Sequence, residues 1–202
     1  MLLAVGLAAL VVSGIRPYDR ATWWMEIAPI CIAAPILVGT AKRFPLTSLA
    51  YWLIFAHALV LMVGGHYTYA RVPFGDWVGR LFGLTRNHYD RFAHVVQGFV
   101  PAIVVRELLL CLTPLRRGAW LFSLVACVAL AISAGYELIE WWAAVAGGSA
   151  AADFLGTQGD PWDTQWDMFL ALLGALAAQL LLARRHDRAL MVLAARGAIQ
   201  LA

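Results

Sequence analysis

Charged side chains are what this chain has least of. Only 13% of its 202 residues are Asp, Glu, Lys or Arg, well below the quarter usual in a soluble domain. No basic run is longer than a pair such as Arg184-Arg185, so nothing grips a phosphate backbone and nucleic acid is excluded as a partner. There is no Gly-x-Ser-x-Gly, no phosphate-cradling glycine loop and no His-Glu-x-x-His. Among enzyme classes only acid/base or metal chemistry survives. Cysteine is scarce too: Cys31, Cys111 and Cys127 form an odd set without CxxC spacing. They are expected as free, buried thiols acting as small hydrophobes. No linker or low-complexity segment divides the chain, which reads as one domain.

What is there is apolar. The chain is 62% hydrophobic, with nine Trp and six Tyr, and its mean hydropathy is +0.75. A core of this size cannot hide so much apolar side chain from water, so lipid must cover part of it. Trp and Tyr in such numbers suit two membrane interfaces. The expected fold is all-α and polytopic, with about six spans at roughly 1–15, 23–41, 48–67, 89–112, 119–146 and 162–183. A basic tail follows at 184–202. The first span is short, at about 22 Å. It reads as a first helix rather than a signal peptide, because no Lys or Arg precedes it and no small-x-small site follows. Pro29 and Pro35 should kink the second span. Between the third and fourth, Trp77, Val78, Leu81 and Phe82 share a face, as in a short helix lying in the interface.

Lys and Arg orient the bundle. Lys42, Arg43, Arg116, Arg117, Arg184, Arg185, Arg188 and Arg196 fall on one side, and Arg16, Arg20, Arg71, Arg80 and Arg86 on the other. This favours cytoplasmic N- and C-termini. The connection between the last two spans has no Lys or Arg at all. In that orientation Asp19, Glu26, Asp76, Asp90, Glu137, Glu140, Asp153, Asp160, Asp163 and Asp167 lie at the outer end, with His66, His88 and His94. Glu107 and Asp187 lie inside, and His186 in the tail. Arg106 and Glu107 are about 25 Å from Asp90 along the helix and do not face each other.

The most polar stretch is Gly156 to Met168, with three Asp, two Gln and two Trp in thirteen residues. Asp160-Pro161 is a helix start, Asp as cap and Pro at the first position. Asp163 and Asp167 are spaced i,i+4 and share one face. Their stripe continues as Ala171, Gly174 and Ala178, small residues that let helices approach closely in lipid. The carboxylates therefore sit on the inward stripe. In the fourth span Asp90, His94 and Gln97 line up in the same way. In the fifth, Glu137 and Glu140 are at i,i+3. Packed carboxylates repel, and relief comes from protonation, an arginine or a metal. Arg91, Arg16 and Arg20 are the arginines at hand. Histidine with carboxylates is a ligand set for zinc, manganese or iron. The expected ligands of a divalent cation are His88, Asp90, His94, Glu137, Glu140, Asp163 and Asp167, with Glu137, Glu140 and Asp163 as candidate catalytic groups. His57, alone on an apolar stretch, is expected as a packed core histidine.

His88-Tyr89-Asp90-Arg91 with His94 and Gly98, Arg106-Glu107, Tyr136-Glu137-Leu138-Ile139-Glu140-Trp141 and the long motif Phe154 to Met168 resemble the YjdF-like family. These are bacterial inner-membrane proteins of unknown function, and the resemblance covers essentially the whole chain. It implies a polytopic inner-membrane protein and no particular activity. Three readings follow for the outer polar cluster. It could serve a metal-dependent membrane hydrolase acting on a lipid or small molecule at the periplasmic interface. It could serve a small-ion or proton-coupled transporter. Or it could only lock the bundle of a structural or accessory protein.

Overall fold

Long apolar runs in lipid must satisfy their own backbone hydrogen bonds, and helices do this within one segment. The computed structural model describes residues 1–147 and 157–199, and among these every regular element is helical. They are α1 (Leu2–Ser13), α2 (Arg20–Thr40), α3 (Ser48–Tyr67), a 3-10 turn (Tyr69–Arg71), α4 (Pro73–Phe82), α5 (Tyr89–Leu112), α6 (Ala119–Gly147) and α7 (Asp163–Ala195). Five of them, α2, α3, α5, α6 and α7, are long and apolar enough to cross a membrane. At 12 residues, α1 is about 18 Å long, short of the bilayer's hydrocarbon thickness.

Local signals set the ends. Asp19 caps α2 by accepting from the Thr22 N–H at 2.7 Å. That bond holds its carboxyl below the usual carboxylate range. Thr47 caps α3 through the Ala50 N–H at 3.2 Å. Pro73 opens α4, and Gly83, with φ +66°, closes it while the Leu84 N–H bonds back to Gly79.

α5, α6 and α7 pack on one another and carry the core, which includes Ala102, Ile103, Leu121, Val125, Ala175 and Ala178. α3 leans on α5, and α2 and α1 lean on α3. The α5–α7 seam is the closest. A Cβ on Gly98 would collide with the Ala171 carbonyl, and one on Gly174 with the Val95 carbonyl. Ala171, Gly174 and Ala178 are buried, as the small-residue stripe required. On the outside, Leu180 and Leu181 are 74% and 71% exposed and Trp52, Ile32 and Ile36 are exposed with them, a surface that only lipid covers well.

Two expectations change. α7 is one helix through the Arg184-Arg185 pair and on to Ala195, because His186 and Leu190 continue its buried stripe while the two arginines point elsewhere. The three thiols are free, but Cys31 and Cys127 are exposed rather than buried, on the apolar outer surface where a small hydrophobe loses nothing in lipid.

Candidate functional site

The site begins with two loops stitched together ahead of α5 and α7. Asn87 Nδ2 donates to the Val72 carbonyl at 2.9 Å and to Asp76 Oδ1 at 2.8 Å, and Asn87 Oδ1 accepts from the Tyr89 N–H at 3.0 Å. The Gln158 side chain pairs with both backbone groups of Asn87, accepting from its N–H and donating to its carbonyl, each at 2.9 Å. Gln158 reaches there from a left-handed backbone, φ +48°. Gly75 is required by close approach, since a Cβ there would strike the Asn87 amide.

These loops hold Arg86 and Asp160 over the first turns of α5 and α7. Arg86 Nη1 lies 2.6 Å from Asp163 Oδ1 and 3.6 Å from Asp160 Oδ2, and Nη2 lies 3.4 Å from Asp90 Oδ2. Arg91 Nη2 meets Asp160 Oδ2 at 2.6 Å, with its guanidinium over the Trp166 ring. Asp160 Oδ1 accepts from the Trp162 N–H at 2.9 Å in the turn before α7; it is not the expected N-cap, since α7 starts at Asp163 with Trp162 in the cap position.

One turn deeper, the protein supplies no guanidinium. His94 Nε2 is 3.5 Å from Asp90 Oδ1 and 3.9 Å from Asp167 Oδ2, and His94 Nδ1 is 3.8 Å from Glu137 Oε1. One ligand atom from each of Asp90, His94 and Asp167 lies within 4.8 Å of the other two, and all three residues are buried. Among the described residues, His94 Nδ1, Glu137 Oε1 and Asp167 Oδ1 are buried without a hydrogen-bond partner. Such atoms are costly unless a proton, water or cation meets them. Three inward faces, from α5, α6 and α7, thus converge on one small acid-rich space.

The expected residues do not all reach it. Asp90, His94, Glu137 and Asp167 do. Asp163 is engaged by Arg86 one turn outward. Glu140 is half-buried on the next turn of α6. His88 is half-buried at the N-cap of α5, outside the Asp90/His94/Asp167 group. Burial, then the charges of Arg91 and Arg86, lower its pKa and favour the neutral ring. Phe154, Leu155, Gly156 and Asp153 lie outside the described residues. Arg20 is not among the acid partners; it donates to the Gly14 carbonyl at 2.8 Å. His66 Nδ1 donates to the Ser13 carbonyl at 2.8 Å and ties α3 to α1.

Sequence reasoning missed Arg86 as the central cation, because it precedes α5 and meets its partners only through the loops. It also left Glu26 aside. That carboxylate is 1% exposed on α2, accepts from Tyr136 OH at 3.3 Å, and keeps Oε1 without a hydrogen bond among the described residues. Burial, and then the Glu26 charge, push the Tyr69 hydroxyl well above the usual tyrosine range. Its place one turn inside α2 was the available signal. His57 is half-buried in mid-helix with Nε2 unpartnered.

A second polar layer closes the other end of the same helix pair. Glu107 and His186 are both 0% exposed. Glu107 accepts from the Thr47 N–H and hydroxyl, each at 2.7 Å, and from His186 Nε2 at 2.9 Å. Arg106 Nη1 donates to His186 Nδ1 at 2.8 Å, and Nη2 to Asp187 at 2.8 Å. Arginine has no acceptor, so Nδ1 must accept and Nε2 carries the proton given to Glu107. Arg117 joins Asp187 at 3.0 Å. Every charge here has a partner.

The family model described as "Predicted membrane protein (DUF2238)" matches residues 1–188. The inner membrane protein YjdF of Escherichia coli strain K12 is 57% identical over 181 residues, covering 90% of this chain and 87% of that relative. No solved structure matches the chain.

Proposed function

The chain belongs to the DUF2238 family and is a multi-pass protein of the bacterial inner membrane, and from that footing we propose that it is a metal-dependent membrane hydrolase. Asp90, His94 and Asp167 hold a divalent cation, zinc, manganese or iron, with Glu137 beside them. The observation that carries this reading is the buried grouping of their ligand atoms within 4.8 Å. A cation in that donor set would supply Lewis acidity and neutralise the carboxylates. Glu137, whose Oε1 faces His94 without a hydrogen-bond donor, is the base that takes a proton from the attacking water. Glu140 continues its face outward, and Asp163 keeps Arg86 in place. Counting the short α1 as a sixth span, with both termini cytoplasmic, this reading has the site on the periplasmic side, within reach of lipid headgroups or small molecules there. The lack of Lys and Arg between α6 and α7 supports that orientation.

A small-ion or proton-coupled transporter needs a polar route between the two faces. Between the polar layers, however, the α5–α7 seam is filled by Gly98, Ala102 and Ile103 against Ala171, Gly174 and Ala178, and Glu107 is already saturated. Against a purely structural cluster, His94, Glu137 and Asp167 keep atoms without a hydrogen-bond partner among the described residues, which favours a bound cation. Elemental analysis decides. Protein purified without chelator is expected to carry close to one equivalent of a transition metal, and an Asp90→Asn/Asp167→Asn variant almost none. Metal-free wild type after supplementation would sink the proposal.

A further inference from the structure

The cluster has two tiers. In the outer tier Asp163, Asp160 and Asp90 Oδ2 surround the Arg86 guanidinium at 2.6, 3.6 and 3.4 Å. In the inner tier Asp90 Oδ1, His94 and Asp167 stand around a space with no guanidinium in it. Asp90 serves both tiers, one oxygen to each. Asp163 and Asp167 repeat the same relation one helical turn apart on α7. A carboxylate shared by two positive centres is a usual feature of sites that hold two metal ions. Arg86 is not loosely placed. It donates to the Thr157 carbonyl at 3.4 Å, and the neighbouring Asn87 backbone is pinned by Gln158.

We propose that the Arg86 guanidinium is a tethered cation occupying one of two cation positions, so that the cluster takes a single divalent ion and Arg86 sets how tightly it is held. This rests on the metal reading above. The inner tier points to a ligand: His94, Glu137 and Asp167 are each more than nine-tenths buried, and each presents a polar atom without a partner among the described residues. The protein's own positive charge, about one helical turn away, repels a divalent ion in that tier and competes with it for Asp90. Asp163 draws the guanidinium outward and moderates both effects.

Mn²⁺ titration of the full-length protein in detergent, followed by calorimetry and by electron paramagnetic resonance, tests this with variants that shift in opposite directions. Arg86→Gln is expected to bind Mn²⁺ about tenfold more tightly or to take a second equivalent, and Arg86→Lys to resemble wild type. Asp163→Asn is expected to bind about tenfold more weakly, because the freed guanidinium turns onto Asp90. If Arg86→Gln folds only with Mn²⁺ present, the ion has replaced the arginine, which is the proposal in another form. Should it fold under neither condition, Arg86→Gln/Asp163→Asn removes the two charges together and is expected to keep one ion, and loss of binding there overturns the proposal. Two folded single variants with unchanged affinity, or with shifts in the same direction, also overturn it. A wild type that binds one Mn²⁺ beside an unresponsive Arg86→Gln refutes only the role of Arg86. A wild type that binds none removes the metal reading and this inference with it.

Discussion

Glu107 illustrates what a single buried charge costs once its partners go. It accepts three hydrogen bonds, two from Thr47 and one from His186, whose other nitrogen is held by Arg106. Glu107→Ala strands that chain of donors out of reach of water. Leaving a buried donor without its acceptor costs about 1–3 kcal/mol. The variant should melt at a clearly lower temperature in detergent, whereas Glu107→Gln keeps a carbonyl acceptor and should lose less. An unchanged melting temperature for Glu107→Ala would mean the network carries no stability. At this scale the sequence was an uneven guide. Asp90, His94 and Asp167 could be paired from i,i+4 spacing and small-residue neighbours alone. Arg86 and His186 could not. Arg86 lies in a loop and finds its carboxylates only when Gln158 closes that loop. His186 follows two arginines that look like the end of a membrane span.

Among the elements, the α5–α7 pair depends on two glycines. Their missing side chains let backbone meet backbone, and neither carbonyl facing them can turn aside. Gly98→Val should therefore cost at least about 1–3 kcal/mol of overpacking. It should also loosen both polar layers, which limited proteolysis would register as faster cleavage within the bundle. Gly39→Ala on α2 is the control, since a Cβ there meets nothing within 4 Å. It should be neutral, or stabilising by about 0.5–1 kcal/mol through helix propensity. Equal damage from both substitutions would contradict the close seam. Helix bounds were legible for a physical reason. The helices Ser48–Tyr67 and Tyr89–Leu112 have the expected bounds because polarity changes at their ends, with Thr47 also capping the first. α7 ran past its expected end because burial, which decides the matter after Ala183, depends on Arg106 and Glu107 of a different helix.

Across the whole molecule, the class of protein followed from composition, while the proposed orientation rests on the distribution of Lys and Arg and is open to test. Trp162→Cys places a thiol on an exposed position ahead of α7, and Arg116→Cys one on the connection between α5 and α6. A membrane-impermeant maleimide added to intact spheroplasts should label the first and reach the second only after permeabilisation. The reverse pattern would put the acid cluster on the cytoplasmic side. The thiols Cys31 and Cys127 face the apolar exterior, so wild type is expected to stay unlabelled and to serve as the baseline.

One feature of that architecture limits how the protein can move. α5 and α7 are joined by charge at each end and by bare backbone between, so they behave as a beam riveted at both tips. A beam of this kind resists sliding and bending alike. Any rearrangement beside His94 is therefore expected to displace α6, α2 and α3, which carry Glu137, Glu26 and His57, rather than to slide α5 past α7.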